Sequence, residues 1–334
     1  MSRAAHPAQD RSAREAYRDL LLELMAGDPR LCCLDSDTGL FNGADLSPAG
    51  DRYVNLGIAE HNLLGMAAGL AAAGKLPYVN TMATFATTRA LEVLKVDIAY
   101  NNLPVRIAAT HGGLAAGHLG PTHHALEDLA VTRVLPNLTV VVPADAAQAT
   151  EAVRQTVELP GPLYLRLGRN PTPPLDAAAP PFRLGAAQRL RDGDDLVIVA
   201  CGPHPVLAAT QASDTLAAMG VGAAVLNLHT LKPLDTGALA AAAAGGRPVV
   251  TVEEHWRSGG LGSAVAETLA ELAPTRVARI GMPDRFVDEV GGQEHLLDHY
   301  EINDVTVVAN ALRLLSEPDP SGGNLSEHAA VPGV

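Results

Sequence analysis

Cysteine is scarce: three residues in a chain of 334 exclude a disulfide framework as the source of its stability. Cys32 and Cys33 are adjacent inside an apolar run and Cys201 ends another, so all three read as small core residues and none is placed like a redox pair. Basic residues are outnumbered, 24 against 37 acidic, which leaves a net charge of −13. There is no basic run and no ladder of aromatics, and this excludes nucleic acid as a partner. Apolar residues make up 47%, yet no uncharged apolar run reaches the roughly 18 residues of a membrane span. The nearest candidate, Leu63 to Ala73, is short and rich in alanine. The opening residues, MSRAAHPAQDRSAREAYRD, lack the apolar core of a signal peptide, so a cytoplasmic location is expected.

What is present is an alternation of strand and helix patterns, the signature of parallel sheets covered on both faces. In the first half, strands are expected over 31–37, 77–82, 105–111, 139–144 and 163–168. Helices are expected over Arg14–Ala26 and Phe85–Tyr100, from about Ala125, and after the capping residue Asp145. PTPPLDAAAPP (171–181) interrupts the pattern as an extended, semi-rigid linker with little capacity for regular pairing. The second half restarts it, with strands over 196–201, 223–228, 248–254 and 277–281 and helices over 205–218, 235–243, 260–272 and 304–315. The expected organisation is therefore a flexible N-terminus (1–12), an α/β domain with a doubly wound sheet (13–170), a Pro-rich linker (171–184), a smaller doubly wound α/β domain (185–316) and a disordered tail (317–334).

One stretch organises the first domain. DRYVNLGIAEHNLLGMAAGLAAAG (51–74) reads as a short strand, a tight turn at Gly57 and a helix beginning near Ala59. Glu60 then lies in the first helical turn at the carboxyl edge of the sheet, where open α/β folds bind their ligands. A helix dipole alone would also favour a carboxylate there. The helix behind it is full of small residues, which suits close packing in a subunit interface. Asp37, Phe85, His111 and His123 fall at carboxyl ends of expected strands too, and this argues for one site. His111, His118, His123 and His124 lie close together, but their spacing fits no usual zinc pattern.

NLGIAEHN, TMATFATTRALE, ATHGGL, GPTHHALEDLA, VVPAD and VEEHWRSGGLGSAVAE resemble the C-terminal section of transketolase, over about residues 15–315. The resemblance implies a pyrimidine-binding domain of a thiamine diphosphate enzyme followed by a largely structural C-terminal domain. It implies that Glu60 hydrogen-bonds a ring nitrogen of the aminopyrimidine, favouring the tautomer whose imine takes the proton from the thiazolium carbon. Phe85 would pack on the same ring, with Asp37 and Ile58 as further cofactor contacts. His111 and His123 match the histidines that contact donor substrate and intermediates. Arg166 or Arg169 could hold a substrate phosphate, since a forked guanidinium suits that ligand.

Two departures from the family pattern matter. The Gly-Asp-Gly motif and its downstream asparagine, which carry a divalent metal on the diphosphate, have no counterpart here. The diphosphate half of each site, Mg2+ ligands included, is therefore expected from a separate N-terminal subunit, with an α2β2 assembly as the natural extrapolation and no activity for this chain alone. The acceptor-recognising loop, usually Gly-Glu-Asp-Gly, reads Gly117-His118-Leu119-Gly120, and a leucine cannot accept a hydroxyl's hydrogen bond. A specialised two-carbon ketol transfer between sugars is the favoured reading. The alternatives are the β subunit of a 2-oxo acid dehydrogenase E1 component, an enzyme making deoxyxylulose phosphate, and a non-catalytic scaffold subunit.

Overall fold

The computed structural model of the chain describes residues 11–317. The larger sheet has seven strands in the order Thr230–Lys232, Thr139–Val141, Leu163–Leu167, Arg106–Thr110, Leu76–Met82, Leu31–Asp35, Tyr53–Asn55. All neighbours are parallel except the first pair. Its central strands are buried end to end, as strands covered by helices on both faces must be. The second sheet has five strands in the order Val277–Met282, Val249–Trp256, Leu196–Ala200, Ala223–Asn227, Gln188–Arg191, the last of them antiparallel. Among the described residues no helix is long and apolar enough to cross a membrane.

Helices pack on these sheets for reasons visible in their ends. Ser12 caps Ala13–Gly27 by accepting from Glu15 N–H, and Asp145 caps Ala146–Thr156 by accepting from Gln148 N–H. Asp235 and Asn303 do the same for Thr236–Ala243 and Asp304–Ser316. Helix Glu60–Ala72 has no side-chain cap, and its start is set by the turn before it. Gly57 takes φ 68° and its N–H donates to Asn55 Oδ1 at 2.8 Å. Leu56 N–H then donates to Asp35 O, which ties the turn to the end of the neighbouring strand.

The structure corrects the sequence reading in several places. Residues 1–10 and 318–334 lie outside the described residues, but Arg11 and Ser12, expected to be frayed, form a two-residue strand. Its partner is Pro171–Thr172 in the linker, so part of that linker does pair. Glu317, assigned to the tail, ion-pairs with Arg313. The continuous helix expected over 85–100 is broken into Ala83–Thr87, Leu91–Val93 and a π-helical turn Leu94–Ala99. Thr87 and Thr88 turn their hydroxyls back onto the carbonyls of Ala83 and Thr84, a competition that loosens a helix at that point. Strand Thr230–Lys232 comes from the second half of the sequence yet completes the first sheet.

Candidate active site

Glu60 opens its helix with only 4% of its surface exposed, as the strand–glycine–helix pattern requires. Its Oε2 accepts from Arg89 Nη1 at 3.2 Å. The Arg89 guanidinium lies over the Phe85 ring, 4.1 Å from its centroid. Phe85 in turn meets His123 edge-on, ring centroids 5.3 Å apart. Glu60, Arg89, Phe85 and His123 thus form one continuous wall. Arg89 is the member that sequence reasoning carried on a helix but did not assign to the site.

His111 sits just past strand Arg106–Thr110 in a left-handed conformation, φ 60°, and is buried. Its Nδ1 is 2.9 Å from Thr110 Oγ1. Burial, with the positive charges of Arg14 and Arg169 and the nearby His123, pushes its pKa down to about 3. The ring is therefore neutral at physiological pH, with one nitrogen able to donate and the other to accept. Arg14, on the first helix, was missed in the sequence because it lies far from the histidines along the chain. Arg169 lowers the pKa of this half-buried guanidinium, after burial itself. Arg14 Nε is buried and has no hydrogen-bond partner among the described residues.

Of the two arginines proposed for a phosphate, the structure removes Arg166. It is buried against Asp128, with Nε and Nη2 on the two carboxylate oxygens at 2.8 and 3.0 Å. Its Nη2 also donates to the carbonyls of Ala125 and Glu254. Strand Leu163–Leu167 points this side chain into the interior, whereas Arg169 lies past the end of the strand and is half-buried beside His111. Asp37 takes φ 61° beyond strand Leu31–Asp35 and is exposed, and Ile58 is 75% exposed. Neither joins the Glu60 wall within this chain. Asp35, unassigned from sequence, is buried at the end of strand Leu31–Asp35 and accepts from Thr38 and Tyr53 hydroxyls.

The two histidines belong to one loop. Gly113 and Ala125 exchange both backbone hydrogen bonds, closing residues 113–125 at the neck. At the tip is a 3-10 turn, Gly117–Leu119, with His118 and Leu119 exposed. Gly117 is held at φ 45°, and a Cβ there would lie 2.6 Å from Gly291 O. Among the described residues no group of three or more His, Cys, Asp or Glu is placed to hold a metal ion. A buried carboxyl linked through Arg89 to an aromatic ring fits an aminopyrimidine.

The family model "Transketolase, pyrimidine binding domain" matches residues 9–174, and "Transketolase, C-terminal domain" matches 185–307. The chain is 38% identical over 302 residues to a 6-deoxy-6-sulfo-D-fructose transketolase subunit from Clostridium sp., covering 89% of this chain and 92% of that one. It is 39% identical over 312 residues to an apulose-4-phosphate transketolase subunit from Phocaeicola vulgatus, covering 92% and 98%. Among solved structures, a split gene transketolase, an inactive beta4 tetramer, superposes with a TM-score of 0.81 at 41% identity, covering 92% of this chain and 99% of that one. The chain belongs to the transketolase family and comprises its pyrimidine-binding and C-terminal domains.

Proposed function

We propose that this chain is the C-terminal subunit of a two-subunit transketolase that moves a two-carbon ketol unit from an anionic ketose donor, and that it acts only with a diphosphate-binding partner. The observation that carries this reading is the single wall formed by Glu60, Arg89, Phe85 and His123, with His111, Arg14 and Arg169 beside it.

Thiamine diphosphate, when bound, supplies the nucleophilic carbon for ketol transfer. Glu60 would share a proton with the ring nitrogen of the aminopyrimidine, and Phe85 would pack on that ring. Arg89, already on Glu60, keeps the carboxyl oriented. The neutral His111 ring and His123 face the sugar hydroxyls and carry protons to and from them. Arg14 and Arg169 hold the anionic end of the donor, an assignment supported by the two positive charges lying together beside His111. The two relatives act, by their names, on a sulfonated and a phosphorylated sugar, so an anion at one end of the substrate is common to both. Mg2+ and the diphosphate are assigned to the partner, because this sequence lacks the Gly-Asp-Gly motif. Ile58 and Asp37 are exposed, and we assign them to the surface that the partner covers in an α2β2 assembly.

The test is ketol transfer from a ketose phosphate with thiamine diphosphate and Mg2+, using this chain alone and then with a diphosphate-binding subunit. Activity in the mixture alone is the expected result. Turnover by the isolated chain, or 2-oxo acid decarboxylation by the mixture without ketol transfer, would overturn the reading.

A further inference from the structure

Glu254 lies at the end of a strand in the second sheet, and only 5% of its surface is exposed. Its carboxylate reaches across to the first half of the chain and accepts from Leu114 N–H at 2.6 Å. Leu114 is three residues beyond His111 and adjoins the neck at which Gly113 pairs with Ala125, two residues beyond His123. The approach is close enough to require glycine: a Cβ on Gly113 would lie 2.5 Å from the Glu254 side chain. The other strand of the neck is held from the same place. Arg166 Nη2 donates at once to Ala125 O and to the backbone carbonyl of Glu254.

Gln293 completes the arrangement. Its Nε2 donates to both Glu254 oxygens, at 2.8 and 3.0 Å, and its Oε1 accepts from Asn170 Nδ2 at 2.9 Å. Those three bonds fix the amide's orientation. Asn170 follows Arg169 directly, so one buried cluster grips the His111 arm, the His123 arm and the arginine arm of the site together.

We propose that Glu254, oriented by Gln293, is a positioning residue for the two histidines, and that the second domain contributes to catalysis through this contact. The catalytic part of the proposal rests on the transketolase reading above; the contact itself does not. Losing the Leu114 anchor lets the neck shift, and a displacement of about 1 Å at reacting groups can cost on the order of 100-fold in rate.

The test compares E254A, E254Q, Q293A and the double variant E254Q/Q293E in the full chain. Hydrogen exchange of the chain by itself should show faster exchange across 112–126 in E254A, and the double variant should restore protection. The double variant exchanges donor for acceptor while keeping both the bond to Leu114 N–H and the bond to Asn170. With the partner subunit, thiamine diphosphate and Mg2+, kcat of E254A should fall about 10- to 100-fold. The cofactor concentration for half-activation should stay unchanged, because the cluster makes no hydrogen bond to Glu60 or Phe85, the two side chains assigned to the cofactor. E254Q/Q293E should recover most of the loss that E254Q alone suffers. Should E254A fail to fold, Q293A, which keeps the carboxylate but frees it, reads out the same exchange. Unchanged protection in E254A overturns the contact, unchanged protection in Q293A overturns the orienting role of Gln293, and lost protection with unchanged kcat overturns the positioning role. A double variant no better than E254Q overturns the pairing. If the wild-type mixture transfers no ketol unit, the functional reading fails while the exchange result stands.

Discussion

Glu60 illustrates how much a single side chain can be asked to do at the start of a helix. A carboxylate in a first helical turn contributes about 0.3–1 kcal/mol through the helix dipole. Glu60→Ala should therefore lower thermal stability only slightly, while turnover of the assembled enzyme falls by about 100-fold or more, the range for a lost acid–base group. A scaffold subunit would show the small stability change and no loss of rate. Phe85→Ala should act differently, raising the thiamine diphosphate concentration for half-activation by roughly 3- to 10-fold, since aromatic stacking is worth about 0.5–1.5 kcal/mol. Glu60, Phe85, His111 and His123 could be named from the sequence because they fall in motifs that resemble transketolase, and the fold links Glu60, Phe85 and His123 through Arg89. Arg166 and Arg169 were not separable, since nothing local says which is turned inward to a buried Asp128. Arg14 could not be found at all, because only the folded chain brings the first helix to His111.

At the level of elements, the long apolar strands and their capped helices were readable because burial on two faces leaves a continuous apolar signature. Short antiparallel edge strands leave none. Gln188–Arg191 and Thr230–Lys232 have too few residues for a period to show, and their partners lie far off in sequence. The turn after Thr230–Lys232 also carries the structure's cis bond, Lys232–Pro233. That edge brings a buried histidine with it: His229 packs against Phe182 at 4.1 Å between ring centroids, and burial lowers its pKa to about 4. The folded form holds this ring neutral, whereas the unfolded chain takes up a proton near pH 6.5. The stabilisation is thus full above about pH 6.5 and is lost as pH falls toward 4, with His111 adding to the same trend down to about pH 3. Thermal unfolding should show a drop in stability between pH 7 and pH 5. His229→Gln should shrink that drop by on the order of 1–2 kcal/mol, each unit of pH being worth about 1.4 kcal/mol for one proton.

For the whole molecule, the expectation is half an active site in search of its other half. Mixing with the diphosphate-binding subunit should bury Ile58, and its replacement by Asp should weaken association, measured by titration calorimetry, more than it changes the stability of the isolated chain. The linker raises a different point. Residues 173–180 run exposed or half-exposed between the two sheets, an open target for a protease. Yet Thr230–Lys232 crosses back to pair with Thr139–Val141, and Lys232 Nζ donates to the carbonyls of Arg133 and Leu135. Chain severed at the linker should therefore travel as one particle in gel filtration, its two fragments laced by that returning strand. Residues 11–184 made without the rest would instead leave Val140 and Val141 as a bare sheet edge, an invitation to aggregate. The seam in the sequence is not a seam in the fold.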